Sequence, residues 1–198
     1  MDYVLQLDQG LFYLINIKLT TSSLDFFMPF ITTKANFINV IIFAWLIIFI
    51  MGKWKDRKAL IIVVLAVLVS DLATDVLKNL IYRVRPCNAL ADVRILAGCT
   101  ESFSFPSGHA TNVFAVAVYL SYIYRRYLPI LFILAILVAY SRVYTGAHYP
   151  LDVAGGAVVG SIGAIIAIEV DKKLSPVAVL WFNKTRKRKM KEQAQCDE

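Results

Sequence analysis

The stretch from Ala59 to Leu80 runs for 22 residues and carries charge only at Asp71, Asp75 and Lys78. As a helix at ~1.5 Å per residue it is ~33 Å long, enough to cross the hydrocarbon of a bilayer. Four more apolar runs accompany it: about Phe37 to Met51, Ser107 to just before Arg125, Pro129 to Tyr144, and about Leu151 to Val170. Pro129 stands near the start of its run, where the first helical N–H groups have no partner anyway. Hydrophobic residues fill 59% of the 198 positions and the mean hydropathy is +0.64, too apolar for an ordinary soluble domain. The pattern predicts an all-α fold, a polytopic membrane helical bundle of about five transmembrane helices forming one domain.

The segment before the first run reads differently. Asp2, Gln6, Gln9, Tyr13 and Asn16 recur every three or four positions while Leu5, Leu11, Phe12, Ile15 and Leu19 fill the rest, which predicts an amphipathic helix over residues 3–19. A span from Leu11 to Ile31 would carry Lys18, Asp25 and four hydroxyl residues through hydrocarbon, so an interfacial helix is the better expectation. The chain then divides into an interfacial N-terminal segment (1–34), a membrane-embedded domain (35–171) and a basic tail (172–198) whose composition predicts disorder at its end. The start, MDYVLQLDQG, lacks the basic region of a secretory signal peptide, which leaves insertion to the first span. A polar loop is expected from Tyr82 to Pro106. It contains Cys87 and Cys99, which are either two unpaired thiols or a disulfide on an oxidising face of the membrane. Cys196, in the tail, is expected to be inert.

The net charge of +7 does not point to nucleic acid, because the basic residues fall in short clusters between apolar runs. That placement suits topology signals and anionic lipid headgroups. Lys53, Lys55, Arg57 and Lys58, the pair Arg125 and Arg126, and eight residues from Lys172 onward make up fourteen of the 21 Lys and Arg. Five spans put all fourteen on one side, which the positive-inside rule makes cytoplasmic. The opposite face then receives the ends of three polar runs together: KNLIYRVRP (Lys78 to Pro86), FPSGHA (Phe105 to Ala110) and SRVYTGAHYPLD (Ser141 to Asp152).

Those runs hold both histidines of the chain. Their residue types suit a phosphate group, whose transfer is catalysed mostly by positioning and charge stabilisation. Arginine offers a planar fork to two phosphate oxygens and lysine a compact point charge, and Lys78, Arg85 and Arg142 supply both. Ser107 and Gly108 precede a helix, so their backbone N–H groups are expected to be free for an anion. A neutral imidazole can attack phosphorus and a protonated one can give a proton to the leaving oxygen. His148 has Asp152 four residues on, a carboxylate that can fix its tautomer and stabilise its cation, which suits the attacking role. His109, among the phosphate-binding groups, suits the acid role. Two histidines without a carboxylate cluster make a poor metal site, so no metal is expected.

The three runs resemble the three signature motifs of the type 2 phosphatidic acid phosphatase and vanadium haloperoxidase superfamily. Lys78, Arg85 and Pro86 match the first motif, Pro106 to His109 the second, and Ser141, Arg142, His148 and Asp152 the third. The resemblance implies a helical bundle, a phosphohistidine intermediate and hydrolysis without metal or other cofactor. The small multi-span form is similar to bacterial undecaprenyl-diphosphate, phosphatidylglycerophosphate and lipid A phosphatases. That implies a lipid phosphate substrate in the bacterial cell membrane, with the active site extracytoplasmic. A soluble haloperoxidase is excluded by the spans. A transporter is the rival class, because Asp71 and Asp75 lie within a span, but paired broken helices in two related halves are not seen. Asp71 and Asp75 share a face with Lys78 and read as a polar network around it or as partners of other spans. Arg83 and Arg94 read as loop charges rather than substrate ligands. Tyr140, Tyr144 and Tyr149 read as packing or interfacial aromatics. Gly155, Gly156, Gly160 and Gly163 permit close helix packing within the chain or across a dimer face.

The charge count yields a direct test. A membrane-impermeant thiol reagent added to intact cells should leave Cys196 unlabelled and should label it after permeabilisation; labelling without permeabilisation overturns the orientation.

Overall fold

The computed structural model describes residues 2–196, with side chains over 3–173. Among these residues every regular element is helical. In chain order they are α1 (Asp2–Tyr13), a π-helical turn (Leu14–Lys18), α2 (Ser22–Thr32), α3 (Ala35–Met51), α4 (Trp54–Ile81), α5 (Pro86–Ala89), α6 (Gly108–Ile123), a 3-10 turn (Arg125–Tyr127), α7 (Leu128–Tyr144) and α8 (Pro150–Cys196). A chain that crosses lipid must satisfy its backbone groups within itself, and a helix does so segment by segment.

Among the described residues, three stretches are long and apolar enough to cross a membrane: Trp54–Ala89, Arg125–Tyr144 and Pro150–Lys173. A fourth forms only if α2 and α3 are taken together, bent by 49° at the break between them. The chain is a multi-pass membrane protein. The five expected helices correspond to α3, α4, α6, α7 and α8, with three differences. The first is that α3, at 17 residues, reaches spanning length only with α2. The second is that α6 has 16 residues, or ~24 Å at ~1.5 Å each. That is short of a hydrocarbon core of ~30 Å. Helices α4, α7 and α8 pack around α6, so protein rather than lipid covers it and the length requirement does not apply. The third is that α8 does not stop near Val170 but continues to Cys196. The tail is rich in Lys and Arg, which are good helix formers, so charge alone did not forbid a helix. The side chains beyond 173, Cys196 included, lie outside the described residues.

Small residues set the spacing of the bundle. On α6, Ala110, Thr111, Ala115 and Ala117 are buried. A Cβ on Gly156 of α8 would meet the carbonyl oxygen of Ser107 at 2.5 Å, and one on Gly160 would collide with the carbonyl of Thr111. Such close approach gives the van der Waals contact that drives helix association in lipid. Toward the far end, Ala59, Ile62 and Ala66 of α4 pack with Tyr119 of α6 and with Ala164 and Ala167 of α8. The outer surface is apolar instead. No residue of α3 is buried, and Ile61, Val64, Leu65 and Leu68 of α4 are exposed. Lipid is the solvent those side chains suit.

The N-terminal helix departs from the expected amphipathic face. The residues it buries are Asp8, Phe12 and Asn16, two of them polar, while Val4, Leu5, Leu7, Leu11, Leu14 and Ile17 are exposed. The face turned to protein is that of Asp8, Phe12 and Asn16, because partners wait there, while Gln6 and Gln9 of the expected polar stripe are exposed. The Asn16 amide donates to the carbonyls of Arg94 (2.9 Å) and Tyr144 (2.7 Å) and accepts from the N–H of Arg94 (3.0 Å). Phe12 packs on Tyr149. The loop between α4 and α6 is closed by a Cys87–Cys99 disulfide with 6.1 Å between Cα atoms. A cross-link over a loop of this length stabilises by ~3 kcal/mol in the chain-entropy model.

Gly156→Val tests the tight α6–α8 contact. The added side chain must displace backbone, a change that costs about 1–3 kcal/mol. The apparent Tm in detergent, followed by tryptophan fluorescence, should fall by several degrees; an unchanged Tm contradicts the packing.

Candidate active site

The first motif leaves α4 through Tyr82, whose φ of 54° caps the helix in the left-handed region and turns the chain. Lys78 lies in the last turn before that cap. Arg83 to Arg85 then run extended over the end of the bundle. Arg85 is buried and fully engaged. Its Nε donates to the carbonyl of Ser102 (2.7 Å) and its Nη2 to the hydroxyl of Ser102 (2.8 Å). Its Nη1 donates to the carbonyl of Ala147 (3.1 Å) and points at Nε2 of His148 (3.0 Å).

That last contact decides a tautomer. A guanidinium only donates, so Nε2 of His148 must accept, and the ring proton resides on Nδ1. The lone pair of Nε2 is therefore held by the Arg85 donor, and an anion that draws that donor to itself frees the nitrogen for an electrophile. The turn that carries His148 needs glycine: Gly146 has φ +82°, and a Cβ there would meet the carbonyl oxygen of Arg94 at 2.5 Å. Within the turn, the N–H groups of Ala147 and His148 both donate to the carbonyl of Arg142 (3.1 and 3.2 Å). His148 is 2% exposed. Burial, with Arg85 and Arg142 close by and only Asp152 opposing, pushes its pKa down to about 4. The ring is neutral at physiological pH.

Asp152 does not grip His148 as closely as the i, i+4 spacing suggested. Nδ1 of His148 lies 3.6 Å from Oδ2 of Asp152, too far for a good hydrogen bond. That oxygen already accepts from the N–H of Tyr149 (2.9 Å) and, in a short bond, from the hydroxyl of Ser104. The Ser104 hydroxyl in turn sits 3.5 Å from Nδ1, so it bridges the pair. The other carboxylate oxygen accepts from Arg83 at 2.6 Å.

The second motif is corrected in one respect. The backbone N–H of Ser107, expected to be free for an anion, donates to the carbonyl of Asp152 at 2.9 Å. The helices α6 and α8 start side by side, and this bond ties their first turns together. The N–H groups after it still lack intrahelical partners, because the ladder of α6 begins with Thr111 donating to Ser107. Gly108 keeps its expected place there, and the free group on Ser107 is its hydroxyl. The Oγ of Ser107 and the Nε of Arg142 are both buried without a hydrogen-bond partner. Unpaired buried polar atoms are costly and rare, and at a site rich in cations they call for an anion.

The remaining residues gather as the motifs foretold. Arg142, at the end of α7, donates to the hydroxyl of Thr32 at 2.5 Å. His109, in the first turn of α6, has Arg142, Lys34 and His148 as its charged neighbours and bonds to the backbone of Thr32. Lys78 is half-buried, with Arg85, Asp75, Asp71 and Lys34 acting on it through space. Among the described residues it makes no ion pair with Asp71 or Asp75 within 4 Å. Arg83 and Arg94 are cross-links rather than free loop charges: Arg83 joins Asp8 and Asp152, and Arg94 joins Asp25 at 2.5 Å. Sequence reasoning missed Ser104, Asp8 and Thr32. Each comes from outside the three runs, and no spacing rule links it to them.

With this geometry in place, comparison with known proteins gives a consistent answer. A model of the PAP2 superfamily matches residues 59–176. A Sulfolobus acidocaldarius protein named undecaprenyl-diphosphatase is 34% identical over 59% of this chain and 57% of its own length. A Bacteroides thetaiotaomicron protein named lipid A 4'-phosphatase is 32% identical over 76% of this chain and 71% of its own. The match thus spans little more than half of the first relative. The crystal structure of a transmembrane PAP2-type phosphatidylglycerolphosphate phosphatase from Bacillus subtilis superposes with a TM-score of 0.68 at 27% identity, covering 87% of this chain and 88% of that one.

The depressed pKa of His148 has a sign that can be measured. The ring takes up its proton near pH 6.5 when unfolded and near pH 4 when folded. Its contribution to stability is therefore complete above about pH 6.5 and is lost as pH falls toward 4. The Tm of the wild type should fall more steeply across that window than the Tm of His148→Gln; parallel curves contradict the burial argument.

Proposed function

For a chain that belongs to the PAP2 superfamily, we propose hydrolysis of a membrane lipid phosphate or diphosphate at the extracytoplasmic face, through a phosphohistidine at His148. The contact between Arg85 and Nε2 of His148 carries this reading, because it places the ring proton on Nδ1 and leaves Nε2 unprotonated beside a guanidinium that can turn to a phosphate. On binding, the phosphate takes over the Arg85 donor that meets Nε2 of His148, and Lys78, Arg142, the hydroxyl of Ser107 and the N–H of Gly108 hold its other oxygens. Nε2 attacks phosphorus, a P–N bond forms, and the P–O bond to the lipid breaks. With the bound phosphate offsetting its cationic neighbours Arg142 and Lys34, a protonated His109 gives its proton to the departing oxygen. The imidazole gains positive charge, and Asp152 stabilises that charge through Ser104. Water, losing its proton to His109, then breaks the P–N bond and inorganic phosphate leaves. The cations do the charge work that a metal does elsewhere.

Undecaprenyl diphosphate is the favoured substrate, supported by the name of the Sulfolobus relative. Phosphatidylglycerophosphate, phosphatidate and lipid A are the alternatives. The outward orientation draws support from the Lys and Arg count and from the Cys87–Cys99 disulfide, which needs an oxidising compartment.

The test is acid-quenched trapping of labelled phosphoenzyme from purified protein, with those four lipids as substrates. Label should appear on the wild type and survive EDTA, and vanadate should suppress it. His148→Ala should lose it entirely. His109→Ala should slow turnover by about 10²–10⁴-fold with a lipid alcohol leaving group and far less with an activated aryl phosphate. Label on His148→Ala but not on His109→Ala reverses the two roles, and loss in EDTA restored by Mg²⁺ contradicts the mechanism.

A further inference from the structure

Arg83 spans two carboxylates. Its Nη1 donates to Oδ1 of Asp152 at 2.6 Å, and its Nη2 is bonded to Oδ2 of Asp8 on α1. Its guanidinium carbon sits 4.1 Å from the centre of the Tyr149 ring, which fixes the plane of the fork. Asp8 is 2% exposed, and its other oxygen accepts from the N–H of Leu151 at 2.8 Å, in the first turn of α8. Asp152 itself is fully buried. A buried carboxylate in hydrogen-bond contact with a cation would normally be a neutral pair. A second carboxylate on the same cation leaves the trio with one net negative charge.

We infer that the N-terminal helix supplies a positioning residue to the reaction: Asp8, acting through Arg83 on Asp152 and so on the imidazole of His148. This rests on the phosphohistidine reading above. Attack by Nε2 leaves positive charge on a ring whose Nδ1–H faces Ser104 and Asp152. Arg83 alone would cancel the charge of the carboxylate that must stabilise it. Asp8 offsets Arg83, so the negative potential at the ring is kept while Arg83 still fixes the carboxylate in place. In a site shielded from water such a charge acts over two contacts with little screening. Asp8 also holds the start of α8, the turn from which Asp152 projects.

The test uses the full chain in detergent, with whichever of the four lipids the wild type hydrolyses fastest. Asp8→Asn keeps the shape and an oxygen for the Leu151 N–H but removes the charge. Its kcat should fall about tenfold while KM stays within about twofold, because Asp8 does not touch the substrate. Asp8→Glu should recover much of the loss. Arg83→Gln should be slow as well, and adding Asp8→Asn to it should cost nothing more, because the route from Asp8 to Asp152 is already cut. The proposal is overturned if Asp8→Asn turns over like the wild type, or if its cost persists in full in the Arg83→Gln background, the mark of a purely structural role. If Asp8→Asn does not fold, the same cycle with Asp8→Gln, which also removes the charge, decides: a cost that vanishes with Arg83→Gln upholds the coupling, and one that persists overturns it. A wild type that releases phosphate from none of the lipids overturns the phosphatase reading and this inference with it.

Discussion

One guanidinium holds the site in register. Arg85 reaches the loop at Ser102, the turn at Ala147 and the ring of His148 from a single buried position. They lie up to 63 positions from Arg85 in the chain. A buried arginine is costly unless its donors are met, so the surrounding carbonyls are bound to it as firmly as it is to them. The same atom that fixes the turn sets the tautomer of His148. Site assembly and preparation of the proposed nucleophile are thus one event.

The bilayer explains why this polar assembly sits where it does. The outer faces of α3 and α4 are apolar because lipid is their solvent, and the polar groups collect where the helices end. Inside the bundle, glycine and alanine bring α6 against α8 closely enough for Ser107 to bond the carbonyl of Asp152. Close helix packing and site geometry therefore depend on each other. The N-terminal helix follows the same rule in reverse. It shows leucine and isoleucine outward and turns Asp8 and Asn16 inward, where backbone and Arg83 satisfy them.

Much was legible from residues alone. Long apolar runs require helices wherever backbone groups lack water, so the helices of the bundle and their order followed from hydropathy. The motif residues Lys78, Arg85, Ser107, Gly108, His109, Arg142, His148 and Asp152 stood out as candidates because their types suit a phosphate group and their three runs keep the order of the family's motifs. Gly156 was legible as a residue for close helix packing, whereas the left-handed turn at Gly146 emerged only with the fold.

What the sequence could not decide was who bonds to whom. The i, i+4 spacing of His148 and Asp152 suggested a direct pair, yet Ser104 stands between them, drawn from another run by the fold. The N–H of Ser107 looked free by its place before a helix, but α8 lies beside it and takes it. Asp8 fell outside the polar positions that the helical period picked out, yet it is buried against Arg83. Hydropathy and spacing report what each segment needs from its solvent and from its own next turn. Long-range hydrogen bonds are exchanged between segments, and only their packing in three dimensions determines which donor meets which acceptor.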